Sequence, residues 1–298
     1  MIGVVAHDAG GAEIIASHIL EKGWDCQYHI DGAAKGVFSR KIGNLESRPL
    51  PSLIQDCEWL LCGTSFLSDL EWQAIGLART KGKKSVAALD HWTNYRQRFF
   101  RRNAGNFPDE VWVGDRWAYD LAKIHLPEVG VKLLPNPYFT EIQREMLLLP
   151  QASRSSEGLR VLYACEPLRE DGIALYGDPH YWGYTEEEAV RYFLKNLSKL
   201  GSKIEKVILR PHPQEKVGKY DWVSREFKGP IFCREPGTLI EQIHQSDIVA
   251  GCATMAMVVG LIMGKRVISC IPPGGKAEHL PHPEIEKIED LELSSVPL

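Results

Sequence analysis

The sequence has no long apolar run. Its most apolar helical stretch, Met255 to Met263, lies far inside the chain and is too short to span a bilayer. The opening MIGVVAHDAGGAEI carries neither a basic n-region nor an apolar h-region, so we expect no signal peptide. Paired cysteine motifs are missing as well. The seven cysteines contain no Cys-x-x-Cys pair, and Cys26, Cys62, Cys165, Cys233, Cys252 and Cys270 lie in or beside apolar runs. That excludes a zinc ribbon and argues for buried, reduced thiols in a cytoplasmic protein. No His-carboxylate metal spacing stands out, and we expect no tightly bound metal. Excess charge is lacking too: a net charge of −4 argues against a broad nucleic-acid surface. Gly-x-Gly-x-x-Gly is absent, and so is an evident ribose-binding acid downstream, which makes a dehydrogenase a poor reading.

What is present is a soluble globular composition, 44% hydrophobic and 25% charged, over 298 residues. That length holds one large or two ordinary domains. Short apolar strands alternate with helical patterns through the whole chain, which predicts parallel sheets covered by helices, an α/β fold. Pro150 to Gly158 is a polar break with serines, and we read 150–158 as a linker. It would separate a Rossmann-like N-terminal domain, 1–149, from a Rossmann-like C-terminal domain, 159–298. The tail beyond Pro272 is proline-rich and acidic, with His279 and His282 expected at the surface.

Two strand exits in the second half carry the candidate chemistry. The strand Val161 to Ala164 leads into a loop with adjacent carboxylates, Glu170 and Asp171, followed by Gly172. The strand Val207 to Leu209 ends in Arg210-Pro211-His212-Pro213. Ligands bind at the carboxyl ends of parallel strands, so a carboxylate pair and a rigidly held histidine would leave one sheet edge together. That is a candidate acid-base pair. Taken alone, each motif also reads as a turn or a stiff strand exit. Gly177 to Tyr184 is aromatic-rich and suits a lid or nucleotide platform, with His180 as a second candidate acid.

Two Rossmann-like halves resemble the GT-B architecture of glycosyltransferases and sugar-nucleotide epimerases. Over residues 159–271, the order CEPLREDG, RPHPQE, TLIEQIH and DIVAGCATMAMVVGLIMGKRVIS resembles bacterial sialyltransferase families of that fold. More distantly it resembles CDP-glycerol transferases and UDP-sugar 2-epimerases. The resemblance implies that Glu170 or Asp171 is the base that deprotonates an acceptor hydroxyl. It implies that His212 contacts the donor phosphate and assists the leaving group. Arg210, Pro213, Gly172, Gly251 and Thr254 would be donor-binding, Thr254 by opening a helix whose N–H groups hold an anion. Ala253 stands where those families usually have serine. The implied co-substrate is a CMP-, CDP- or UDP-linked sugar, and the implied route is inverting and metal-independent transfer to a glycan or lipid-linked acceptor. An epimerase or hydrolase of the same fold, and a non-catalytic nucleotide- or glycan-binding protein, are the alternatives.

The acceptor would lie against the first half. There the strand Ile2 to Ala6 leads into His7-Asp8-Ala9-Gly10-Gly11, read as a glycine-rich turn before a helix. The strand Ser85 to Leu89 leads into Asp90, His91, Trp92 and Asn94. Trp92 would stack on a sugar or pack in the core. Tyr95 to Arg102 holds four arginines and three aromatics, read as a helix face. Such a segment suits an anionic acceptor or peripheral membrane contact through Arg96–Arg102.

Overall fold

The computed structural model describes residues 1–65, 68–101, 103–150, 158–201, 203–213, 215–233, 235–276 and 280–292. The chain divides into two compact units, Met1–Glu141 and Ile142–Leu298. Most of the expected linker, 151–157, lies outside the described residues, as does His279.

The first unit runs β1 (Ile2–Ala6), α1 (Ala9–Lys22), β2 (Cys26–Ile30), α2 (Ala34–Lys41), α3 (Leu50–Asp56), β3 (Trp59–Cys62), α4 (Leu70–Thr80) and β4 (Lys84–Ala88). It continues with β5 (Phe100–Arg101), β6 (Ala104–Gly105), β7 (Glu110–Val113), α5 (Arg116–His125) and β8 (Gly130–Leu133). Helix α6 (Pro137–Leu148) crosses the unit boundary. Six strands form one parallel sheet in the order β2-β1-β3-β4-β7-β8, and β5 and β6 form a separate antiparallel ribbon. Val4, Val5, Leu60 and Leu61 are fully buried, as expected of strands covered on both faces.

The second unit runs β9 (Leu159–Ala164), α7 (Leu168–Tyr176), α8 (Glu186–Lys195), β10 (Ile204–Arg210), α9 (Val223–Glu226), β11 (Ile231–Cys233) and α10 (Leu239–Gln245). After these come β12 (Ile248–Gly251), α11 (Met255–Ile262), β13 (Arg266–Ser269) and β14 (Ile285–Lys287). Its parallel sheet has the order β11-β10-β9-β12-β13-β14. Counted within the unit that is 3-2-1-4-5-6, the Rossmann order. The strand order reverses between β1 and β3 in the first unit and between β9 and β12 in the second. Those switch points are where loops part and a ligand crevice forms.

Four local expectations are corrected. Glu170, Asp171 and Gly172 are not in a loop but in the first turns of α7. Gly10 and Gly11 are not a turn but the start of α1. Tyr95 to Arg101 is a turn, a single 3-10 turn (Gln97–Phe99) and a two-residue strand rather than a helix face. Asn94, with a φ of 58°, breaks any helix before it starts. The tail supplies β14, which pairs with β13, and its His282 is half-buried rather than on the surface.

Candidate functional site

At the switch point of the second unit, β9 leads into Cys165-Glu166 and β12 leads into Cys252-Ala253. Glu166 Oε2 accepts hydrogen bonds from the Cys252 amide at 3.1 Å and the Ala253 amide at 3.0 Å. Burial pushes the Glu166 carboxyl up to about 7, against the pull of those two amides. Asp171 and Glu215 add negative potential from two other elements. Sequence reading missed Glu166. Its signal was its place, directly after a buried strand and before Pro167.

The carboxylate pair and the histidine motif are brought together by a residue outside both. Lys219 donates to Glu170 at 2.8 and 2.9 Å, and its ammonium forms ion pairs with Glu186 at 2.5 Å and Glu215 at 2.9 Å. Glu215 in turn accepts from the His212 amide at 2.7 Å and the Tyr220 hydroxyl at 2.7 Å. Helix α7, the start of α8 and the loop after β10 thus meet on one ammonium group. Burial works against charge on Lys219, but three carboxylates hold its pKa well above the usual lysine range. Partial desolvation pushes Glu170 up, yet Lys219 pulls it below its ordinary value. Glu170 is therefore held as an ionised clamp. Asp171, half-buried, lies near Glu166. Burial lowers the His212 pKa, which favours the neutral imidazole.

The expected donor-binding residues are distributed as follows. Thr254 caps α11, its hydroxyl accepting from the Ala256 amide at 3.3 Å. Gly251 lets two strands approach: a Cβ there would stand 3.2 Å from the Ala164 carbonyl. Gly172 does the same for α7, since a Cβ would stand 2.5 Å from the Asp178 carbonyl. Arg210 is turned to α10, donating to Gln242 at 2.6 Å and to the Gly237 carbonyl at 3.2 Å. Pro213 is exposed. In the aromatic loop the Tyr176 and Tyr181 rings stack at 3.4 Å, with Trp182 edge-on to Tyr181 at 4.9 Å. Beside the ends of β12, β13 and β14 is a cavity of about 340 Å³, lined by Met257, Ser269, Leu280, His282 and Ile285 among others.

In the first unit the loops after β1, β3 and β4 converge. A Cβ on Gly10 would stand 2.1 Å from Asp90 Oδ2, and one on Gly11 3.1 Å from the Gly63 Cα. The two glycines therefore admit the chain's own neighbours. His7 Nδ1 lies 2.7 Å from Asp8 Oδ1. The His7 amide donates to Glu71 at 2.8 Å, and Glu71 is buried with its carboxyl pushed up to about 7, chiefly by that burial. Glu71 too was missed, because its place in α4 reads as an ordinary helix position. Asp90 accepts from Arg98 at 2.9 Å, and Arg98 also donates to the Thr64 hydroxyl at 2.9 Å. His91 Nδ1 lies 3.0 Å from the Thr93 hydroxyl.

Trp92 packs in the core. It is buried and its indole donates to both Asp115 oxygens, while Asp115 caps α5. The arginine run is likewise engaged internally: Arg96 pairs with Glu128, Arg98 with Asp90 and Arg101 with Asp69. Arg102 lies outside the described residues. Arg98 and Arg101 are largely withdrawn from solvent in these pairs, whereas Arg96 is exposed. Among the described residues no helix is long and apolar enough to cross a membrane.

No protein-family model and no curated protein sequence matches the chain. Solved structures do. A UDP-GlcNAc 2-epimerase from Neisseria meningitidis, bound to UDP-GlcNAc, matches with a TM-score of 0.59 at 11% identity over 92% of this chain and 83% of its own. The S. aureus MnaA–UDP structure matches with a TM-score of 0.62 at 11% identity over 90% and 78%. An α-2,3-sialyltransferase from Photobacterium phosphoreum matches with a TM-score of 0.50 at 10% identity over 97% and 99%. The chain has the GT-B-like fold, two Rossmann-like α/β units, that these glycosyltransferase and epimerase structures share.

Proposed function

We propose that the chain is a glycosyltransferase that takes its sugar from a nucleotide-activated donor held by the second unit. The observation that carries this is the Lys219–Glu215 network. It fixes the Glu170-Asp171 helix and the His212 loop against each other at the carboxyl edge of one Rossmann sheet. Ligands bind at that edge. We assign the base to this carboxylate pair, Glu170 or Asp171, which would take the proton of the acceptor hydroxyl. The His212 imidazole, neutral in the free protein, would donate a hydrogen bond to the donor phosphate. An approaching anion raises its pKa, so the imidazole takes up a proton from solvent and passes it to the departing phosphate as the sugar–phosphate bond breaks. Thr254 and the start of α11 would lie on the other side of that phosphate. The route is then inverting and metal-independent. The acceptor, a glycan or lipid-linked sugar, is assigned to the first unit near His7, Asp8, Asp90 and His91.

A UDP-sugar 2-epimerase or hydrolase is the second reading, favoured by the solved neighbour that holds UDP-GlcNAc. The test is a thermal-shift screen with CMP, CDP, UDP, GDP and ADP, wild type beside His212→Ala. A ligand that binds only the native state raises the melting temperature, by about 2.7 kcal/mol of stability at one hundred times its Kd. We expect one nucleotide to stabilise the wild type and His212→Ala to respond less. No shift with any nucleotide overturns the proposal. Turnover of the matching nucleotide sugar without an acceptor identifies the second reading, and binding without turnover identifies a non-catalytic protein.

A further inference from the structure

We infer that Glu166 is a specificity-determining residue of the proposed donor site. Its carboxylate is seated on backbone amides that a donor phosphate needs, and the seat must be yielded before a nucleotide can bind fully. The inference rests on the donor reading above. Its geometric basis is the pair of hydrogen bonds from the Cys252 and Ala253 amides to one Glu166 oxygen, at 3.1 and 3.0 Å. Those amides lie between the end of β12 and the start of α11, at the reversal of strand order. In a Rossmann-type unit an anion settles there because N–H groups converge and the helix dipole adds positive potential. In this chain the anion is supplied by the protein.

The consequence is competition between like charges. A phosphate approaching the same amides meets a carboxylate in a half-buried setting, where like charges repel strongly. Glu166 relieves the conflict by moving off the amides or by taking up a proton. Burial already favours the protonated form. The groups around it come from five segments. Asp171 of α7, Glu215 of the loop after β10 and Glu186 of α8 are acidic, and Tyr184 and Cys252 are neutral. Among the described residues two cations join this set, Lys219, paired with Glu215 and Glu186, and Arg169, 4.0 Å from Glu186, against three acids beside Glu166 itself. The surplus is negative, so it favours proton uptake when an anion arrives. The cost rises with ligand charge. The site therefore discriminates against nucleoside diphosphates more than against monophosphates, and it does so more strongly at high pH.

The experiment uses the full chain. CMP, CDP and UDP are titrated by calorimetry at about pH 6 and about pH 8, on wild type, Glu166→Gln and Glu166→Ala. In parallel, amide resonances of Cys252 and Ala253 are followed across that range without nucleotide. Glutamine keeps an acceptor on the amides and removes the charge, so it serves if the alanine variant folds poorly. We expect both amides to shift with Glu166 titration in the wild type and to stay still in Glu166→Gln. At the higher pH the variants should bind nucleotides on the order of tenfold more tightly than wild type. The gain should be larger for CDP and UDP than for CMP, and should narrow at the lower pH. The phosphate's own titration is common to all three proteins and cancels in the comparison. Amides that do not respond to pH, or weaker nucleotide binding by Glu166→Gln, would make Glu166 a brace and overturn the inference. Failure of the donor reading looks different. No nucleotide then binds any of the three proteins, and the discriminating role falls with it even though the amides titrate.

Discussion

At the scale of single residues, the two switch points share one device: a half-buried or buried carboxyl under backbone amides. In the first unit it is Glu71, which accepts from the His7 amide. Its folded pKa of about 7 lies above the ordinary 4.5. Between those values the folded chain keeps a proton that the unfolded chain has lost, so stability falls as pH rises through that window. Above it the full cost, about 3 kcal/mol, is present. Glu71→Gln keeps an acceptor for the His7 amide and removes the charge. We expect it to raise stability by up to about 3 kcal/mol at pH 8 and to change nothing near pH 4. Urea unfolding midpoints at both pH values measure this. An equal effect at both would mean that packing, and not ionisation, sets the difference. Neither Glu71 nor Glu166 was legible as special in the sequence. A carboxylate's burial depends on which strands become neighbours, and β1 beside β3, or β9 beside β12, is a tertiary fact.

At the scale of elements, strands were the most legible, because buried parallel strands read as continuous apolar runs. Helix α7 was not. Leu168 to Tyr176 contains Glu170-Asp171-Gly172, which reads as a surface turn, and glycine weakens a helix by about 1 kcal/mol relative to alanine. The structure shows why glycine is nevertheless required there. Its missing side chain makes room for the Asp178 carbonyl, which a Cβ would meet at 2.5 Å, and the Asp178 amide donates back to the Gly172 carbonyl at 3.3 Å. On helix propensity alone Gly172→Ala would stabilise. We expect the clash to win, with a net loss of about 1–3 kcal/mol and a loosened aromatic loop. Trp182 packs with Leu168, Tyr184 and Cys252 in a small cluster of its own, so its fluorescence reports that loosening. A variant at least as stable as wild type with unchanged Trp182 emission would refute the packing argument. The Lys219 network belongs to the same scale. It ties three elements through side chains whose spacing in sequence, Glu170, Glu186, Glu215 and Lys219, follows no short motif.

At the scale of the whole molecule, the α/β class was legible from alternation, and the order of motifs in the second half pointed to the GT-B-like fold. The strand orders were not legible, since periodicity does not say on which side of β9 the chain places β12. Each unit carries its own sheet and its own buried core. One core joins Val4, Ile15, Phe38 and Leu61, and another joins Val161, Phe193, Leu209 and Ile268. A domain with its own core has what it needs to fold alone. We therefore expect fragments 1–150 and 158–298 each to melt cooperatively, as followed by far-ultraviolet circular dichroism. The donor reading adds a sharper demand. If the second unit holds the nucleotide by itself, the nucleotide that stabilises the full chain should stabilise fragment 158–298 and leave fragment 1–150 unmoved. Affinity for the fragment close to that of the full chain would place the binding energy in the second sheet's edge. A fragment that folds but ignores the nucleotide would mean that groups of the first unit hold the donor as well, and His7, Asp8 and Asp90 would then have to be reassigned from acceptor to donor.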